Sequence, residues 1–282
     1  MRFSVPAIPA ALCAALLLTA LCACAPQASP PLAASSMAVQ PRAERSAPTP
    51  PPPSARRLAL AAFHLRDERG SGPLEALKAL DEPGGPDSAR GSADELALRA
   101  VALNQLGRYA EAVAALDALM LARRDMPPAA RADAFVERGL ALAALGHQDR
   151  AAEDFAAALA LEPRHIPALL ARADQLFALG QTGEAEAGYS KVIAIAPENV
   201  LARINRGVTR DEQGRFAEAI DDFTLAHQID PLSPVALVNR GVSRSQAGDM
   251  PGMCSDYEAA CRLGACARLQ SARSMGFCLD AK

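Results

Sequence analysis

An all-α solenoid of antiparallel helix pairs is the fold class this sequence predicts, and three observations predict it. Residues recur every 34 positions in one phase: Gly146, Gly180, Gly214 and Gly248; Phe155, Tyr189, Phe223 and Tyr257; Gly139, Ala173, Gly207 and Gly241. Ala151, Ala185 and Ala219 keep the same step, as do Pro163, Pro197 and Pro231. A period of this length marks a stacked repeat. Half of the 282 residues are hydrophobic, and a helix pair exposes apolar surface until it stacks on a neighbour, so the stack becomes one continuous core.

Each column has a physical role within the unit. The small residue at Gly139 and its equivalents lets two helices approach closely. Gly146 and its equivalents sit at the turn, where a left-handed residue ends the first helix. Ala151 packs at the crossing of the second helix, and Phe155 fills the space between the two. Pro163 stops the second helix, because proline cannot continue one.

This pattern resembles the tetratricopeptide repeat, whose period is also 34 residues. The resemblance covers repeats at 93–131, 132–165, 166–199, 200–233 and a weaker 234–265. It implies a right-handed superhelical solenoid with the first helices lining a concave face. The unit 93–131 has Leu103, Gly107, Tyr109 and Ala112 in phase but carries five extra residues near Arg123 to Pro128. Before it, 57–92 reads as a degenerate helical hairpin, broken at Gly70-Ser71-Gly72.

Residues 1–23 read as a signal peptide. Arg2 supplies the positive start, and the apolar run from Ala10 to Ala23 is too short for a membrane-spanning helix. The sequence Leu21-Cys22-Ala23-Cys24 resembles a bacterial lipobox. The resemblance implies cleavage after Ala23 and a lipidated Cys24; the alternative is an ordinary secretory signal. Ala25, in place of Asp, resembles an outer-membrane sorting signal. The expected location is therefore the bacterial cell envelope, lipid-anchored, at the periplasmic face of the outer membrane. Residues 24–56 then form a tether. Nine of the 22 prolines lie between Pro26 and Pro53, a composition that favours polyproline II and reaches about 90 Å when extended.

In the family the fifth and ninth residues of each unit face the groove. Here these are Val136, Leu170, Ile204 and Val238, and Leu140, Asp174, Val208 and Val242. Seven of the eight are aliphatic, which implies a groove for a peptide with apolar anchors. Asn205 and Asn239 hold the sixth position, where the family meets peptide backbone. Cover by a second copy, in a homodimer, is the alternative. A second column is Arg99, Arg138, Arg172, Arg206 and Arg240 at the seventh position, with Asp154, Asp222 and Asp256 on the facing helix. A half-buried arginine needs a partner, and Asp across the hairpin supplies one. Gly188 takes the Asp position in the third unit, which leaves Arg172 the member most free to touch a ligand.

Of the seven cysteines, four remain beyond the signal and Cys24: Cys254, Cys261, Cys266 and Cys278. The stretch from Met253 to Cys278 resembles cysteine-stapled variants of this solenoid. Zinc is the rival, but the spacings contain no CxxC. Helix boundaries at Gly264 and Gly276 favour Cys261–Cys266 and Cys254–Cys278, which would pin a C-terminal capping helix at 266–282.

Composition and motifs narrow the function. A net charge of −3 argues against a nucleic-acid partner. His64, His147, His165 and His227 show no ligand spacing. There is no HExxH, GxSxG, GxxxxGK[ST] or GxGxxG. The expectation is a non-enzymatic protein without cofactor or metal. It would be a membrane-tethered adaptor for cell-envelope proteins or peptides, in pilus or secretion-system assembly or in docking peptidoglycan enzymes. The alternative is a self-associating envelope scaffold.

Overall fold

The computed structural model describes residues 59–62, 65, 72–81 and 92–279. The signal peptide, Cys24 and the tether lie outside the described residues. All regular structure among the described residues is helical. The chain divides into two compact units, one through Arg123 and one from Arg124 onward.

The first unit contains α1 (Gly72–Asp81), α2 (Ala93–Gln105) and α3 (Tyr109–Ala122). Ser92 caps α2 by accepting the Glu95 N–H at 3.2 Å, which satisfies one of the free donors at a helix start. Arg99 on α2 donates to Asp81 of α1 at 2.8 Å and to Glu95 at 3.2 Å. Ala112, Leu116 and Leu119 form the buried stripe of α3.

The second unit is a stack of hairpins. Its pairs are α4 (Pro128–Ala144) with α5 (Gln148–Leu161), and α6 (Ile166–Ala178) with α7 (Thr182–Ile195). Then come α8 (Val200–Glu212) with α9 (Phe216–Ile229), α10 (Val235–Gln246) with α11 (Met250–Arg262), and a final α12 (Ala267–Ser274). Each first helix packs on its own second helix, and each second helix on the next first helix. First helices also touch one another, so they form one layer and the second helices the other.

The turns repeat because their hydrogen bonds repeat. Gly146 has φ +86°; its N–H reaches Ala143 O and the next N–H, from His147, reaches Leu142 O. Gly180, Gly214 and Gly248 close their turns with the same pair of bonds. This is the left-handed helix stop that glycine adopts without a Cβ penalty. The second helices end at Leu161, Ile195 and Ile229, just ahead of Pro163, Pro197 and Pro231. The five extra residues near Arg123 have a use: α4 runs 17 residues against 13 in α6 and α8, starting a turn early with Pro128 at its first position.

The hairpins are set by rings lying where a side chain is missing. A Cβ added at Gly139 would sit 2.6 Å from the Phe155 ring, one at Gly207 2.7 Å from Phe223, and one at Gly241 2.6 Å from Tyr257. In the hairpin of α6 and α7 the arrangement is exchanged. Ala173 occupies the glycine column, and the missing side chain is across the pair at Gly188, where a Cβ would lie 2.8 Å from Ala173 Cβ. The rings of Phe155, Tyr189 and Phe223 are each 1 % exposed, so each contributes about 1.5–3 kcal/mol of apolar burial.

The C-terminal end is stapled. Cys254 on α11 is bonded to Cys278, with Cα atoms 5.1 Å apart, and Cys261 to Cys266, with Cα atoms 4.0 Å apart. Cys278 has φ +52°, the left-handed region that a non-glycine residue rarely occupies. Among the described residues no helix is long and apolar enough to cross a membrane.

Gly207→Ala is expected to destabilise the protein by about 1–3 kcal/mol, because the buried Phe223 ring has no room to retreat. Gly183→Ala, at a site with open space around the new Cβ, is expected to stay within about 0.5 kcal/mol. Urea unfolding followed by circular dichroism measures both; equal effects would refute the ring-on-glycine account.

Candidate protein-binding face

The layer of first helices carries the residues that the repeat phase assigns to a groove, and the structure divides them. Leu140, Leu170, Val208, Val238 and Val242 are half-buried. Val136 and Ile204 are not groove surface: they are 1 % and 7 % exposed. Ile204 belongs to a core cluster with Ala219, Phe223, Ala226 and Ala236. Those partners come from its own second helix and the next first helix, so stacking covers this side chain. Val208 and Val242 keep part of their surface open while packing on neighbouring clusters.

Asp174 and Asn205 are tied to each other. The Tyr189 hydroxyl donates to Asp174 Oδ1 at 2.6 Å, and Asn205 Nδ2 donates to the same oxygen at 2.9 Å. Burial pushes the Asp174 carboxyl above its ordinary range, against the lowering effect of these two bonds. Asn205 therefore spends a donor inside the fold, joining α8 to α6. Asn239 is half-buried one repeat on. Asp211, on α8, has a buried Oδ1 with no partner, and burial raises its carboxyl as well.

The arginine column lies between the layers. Arg138 grips Asp154 with two bonds of 2.8 and 2.7 Å. Arg206 grips Asp222 at 2.9 and 2.6 Å, and Arg240 grips Asp256 at 3.2 to 2.7 Å. These carboxylates are 4 %, 1 % and 2 % exposed. Bidentate guanidinium pairs of this kind are the strong form of ion pair. Arg206 also donates to Ser190 Oγ and Arg240 to Thr224 Oγ1, each at 3.1 Å. Both bonds reach back to the preceding second helix, so the column joins repeats as well as helices.

A second set of arginines lies outside the seventh-position column. Arg210 donates to Glu186 at 2.8 Å and to Asp222 at 3.0 Å; Arg244 donates to Asp256 at 2.9 Å. Arg215 bonds Glu186 at 2.6 Å and pairs with Glu218. The signal was present, since Arg210 and Arg244, like Ser190 and Thr224, are 34 residues apart. Arg172 is exposed and has no ion pair or hydrogen bond among the described residues, consistent with Gly188 opposite it. Among those residues no three His, Cys, Asp or Glu side chains gather as metal ligands.

Residues 132–165 match the tetratricopeptide repeat family model. The solved structure of MamA 41-end from Desulfovibrio magneticus RS-1 is 22 % identical, with 61 % of this chain and 94 % of that one covered and a TM-score of 0.52. A double mutant of MamA RS-1 aligns over the same shares at 22 % identity and a TM-score of 0.51. MamA AMB-1 is 24 % identical over 60 % of this chain and 97 % of its own, with a TM-score of 0.50. No curated protein matches the sequence. These likenesses are of fold: a helical stack of tetratricopeptide repeats.

Arg206→Ala is expected to cost about 1–3 kcal/mol, because it leaves the buried Asp222 carboxylate with only its bond from Arg210. Arg172→Ala is expected to stay within about 0.5 kcal/mol. Chemical denaturation of the two variants checks this, and similar losses from both would contradict a structural role for the column.

Proposed function

We propose that this chain is a protein-binding adaptor that takes a peptide segment with apolar anchors against its layer of first helices. One observation carries the proposal. Leu140, Leu170, Val208, Val238 and Val242 form a phased aliphatic row that the fold leaves half-covered. A protein that spends so much aliphatic surface in register offers it to a partner. The tetratricopeptide match at 132–165 supports a role in protein interaction.

The proposal extends to place. The lipobox-like Leu21-Cys22-Ala23-Cys24 and the proline-rich stretch after it support a tethered protein, lipidated at Cys24, whose partners are cell-envelope proteins. Acyl chains add about 0.8 kcal/mol per buried CH₂, which is enough for stable anchoring when two or more are present. No catalytic role is assigned to any residue.

Site-specific photo-cross-linking in the native host tests the reading. A photoreactive residue at Val238 is expected to give an adduct with a different protein, and one at the exposed Lys191 of α7 none. An adduct only of doubled mass would replace the adaptor with a self-associating scaffold. Identical patterns at both positions, or none, would remove the face as a binding site.

A further inference from the structure

The aliphatic row does not run along a neutral surface. α8 and α10, which carry Val208, Val238 and Val242, hold five arginines between them. All five are engaged. Arg206 and Arg210 are taken by Asp222 and Glu186, and Arg240 and Arg244 by Asp256. Arg203 donates twice to the Pro197 carbonyl. The same two helices hold two carboxylates, Asp211 and Glu212. Neither makes an ion pair among the described residues.

Helical spacing sets both carboxylates beside the row. Asp211 is three and Glu212 four residues beyond Val208, so they follow it on one face of α8. Ser245 and Gln246 stand at the same steps beyond Val242 on α10, so the neighbouring helix offers no cation there. Glu212 is exposed. Asp211 is half-buried, and its Oδ1 is sealed from water without a donor. Burial raises the Asp211 carboxyl, the Ser243 hydroxyl offsets only part of the rise, and Glu212 adds to it. A carboxylate so placed gains from a cation brought by a partner.

We propose that the segment taken by the aliphatic row is cationic: an aliphatic side chain rests on Val208 and Val242, and a lysine or arginine two residues along pairs with Asp211 and Glu212. This rests on the reading of the row as a binding face and names the chemistry of its occupant. Charge complementarity selects the class. Two unpaired carboxylates on helices with no free cation repel an acidic segment, and a neutral segment brings them no counter-charge. Spacing selects the pattern. Alternate residues of an extended chain lie on one side, about 6.6–6.8 Å apart. That step carries a cation from Val208 past the rise of about 4.5 Å to Asp211. The pair would form at the edge of an apolar contact, where charges are screened less than in open solvent.

Fluorescence anisotropy with the full-length protein and labelled decapeptides tests it. A decapeptide alternating leucine and lysine is expected to bind. The same peptide with glutamate or serine in place of lysine, and one alternating serine and lysine, are each expected to bind at least tenfold more weakly. Asp211→Asn combined with Glu212→Gln should weaken the leucine–lysine peptide fivefold or more. It should leave the leucine–serine peptide and Tm unchanged, because both replacements keep the side-chain shape. Asp221→Asn, at an exposed position of α9 in the other layer, should leave all binding unchanged. If leucine peptides bind alike whatever their charge, the cationic class falls and the aliphatic row stands. Tighter binding of the leucine–glutamate peptide would replace it with an acidic partner. Equal binding of the serine–lysine and leucine–lysine peptides, or equal losses from Asp221→Asn and the double variant, would reduce it to general charge attraction and overturn it. Failure of all four peptides to bind would remove both the proposal and the row as a binding face.

Discussion

The missing Cβ under a buried aromatic ring is the constraint on which the rest of the repeat stack depends. At Gly139, Gly207 and Gly241 the ring of the second helix occupies the space a side chain would take. This brings two helices close enough for an arginine on one to reach an aspartate on the other with both arms. Arg138, Arg206 and Arg240 do so, and their carboxylates are then nearly sealed from water. A buried carboxylate is tolerable only when so paired. The ring contact and the ion pair are thus two results of one close approach.

The hairpin of α6 and α7 shows the dependence by exchanging its parts. With Ala at 173, the second helix must lose its own side chain at 188. The loss removes the aspartate that Arg172 would have met, and Arg172 stands in solvent. The same hairpin places Asp174 where Tyr189 and Asn205 can bond it. One methyl group moved across the pair therefore changes a core contact and an ion pair. The final hairpin has the glycine and the ion pair but carries Val242 where this one has Asp174.

The fold class was legible because its cause is local. Gly146 ends a helix through its own backbone freedom, and Pro163 prevents continuation; neither needs knowledge of the partner helix. The arginine pairing was legible for a related reason, since residues 16 apart across a hairpin are fixed by the turn between them. What depends on the next repeat was not legible. Val136 and Ile204 carry the same signature as Val238, yet stacking covers them, and no pattern within one unit states how far a neighbour reaches. The bonds from Arg206 to Ser190 and from Arg210 to Glu186 cross that same boundary. The extra turn of α4 is indistinguishable in sequence from an insertion, because proline at its start is equally at home in a loop.

A double-mutant cycle between the two sides of the third hairpin tests this account most directly. Gly188→Asp alone should destabilise the protein, since the new Cβ meets Ala173. Combined with Ala173→Gly, it should recover most of that loss, because the helices regain the arrangement of their neighbours and Arg172 gains a carboxylate. A favourable coupling of about 1 kcal/mol or more is the expected result. Strict additivity of the two substitutions in chemical denaturation would contradict it.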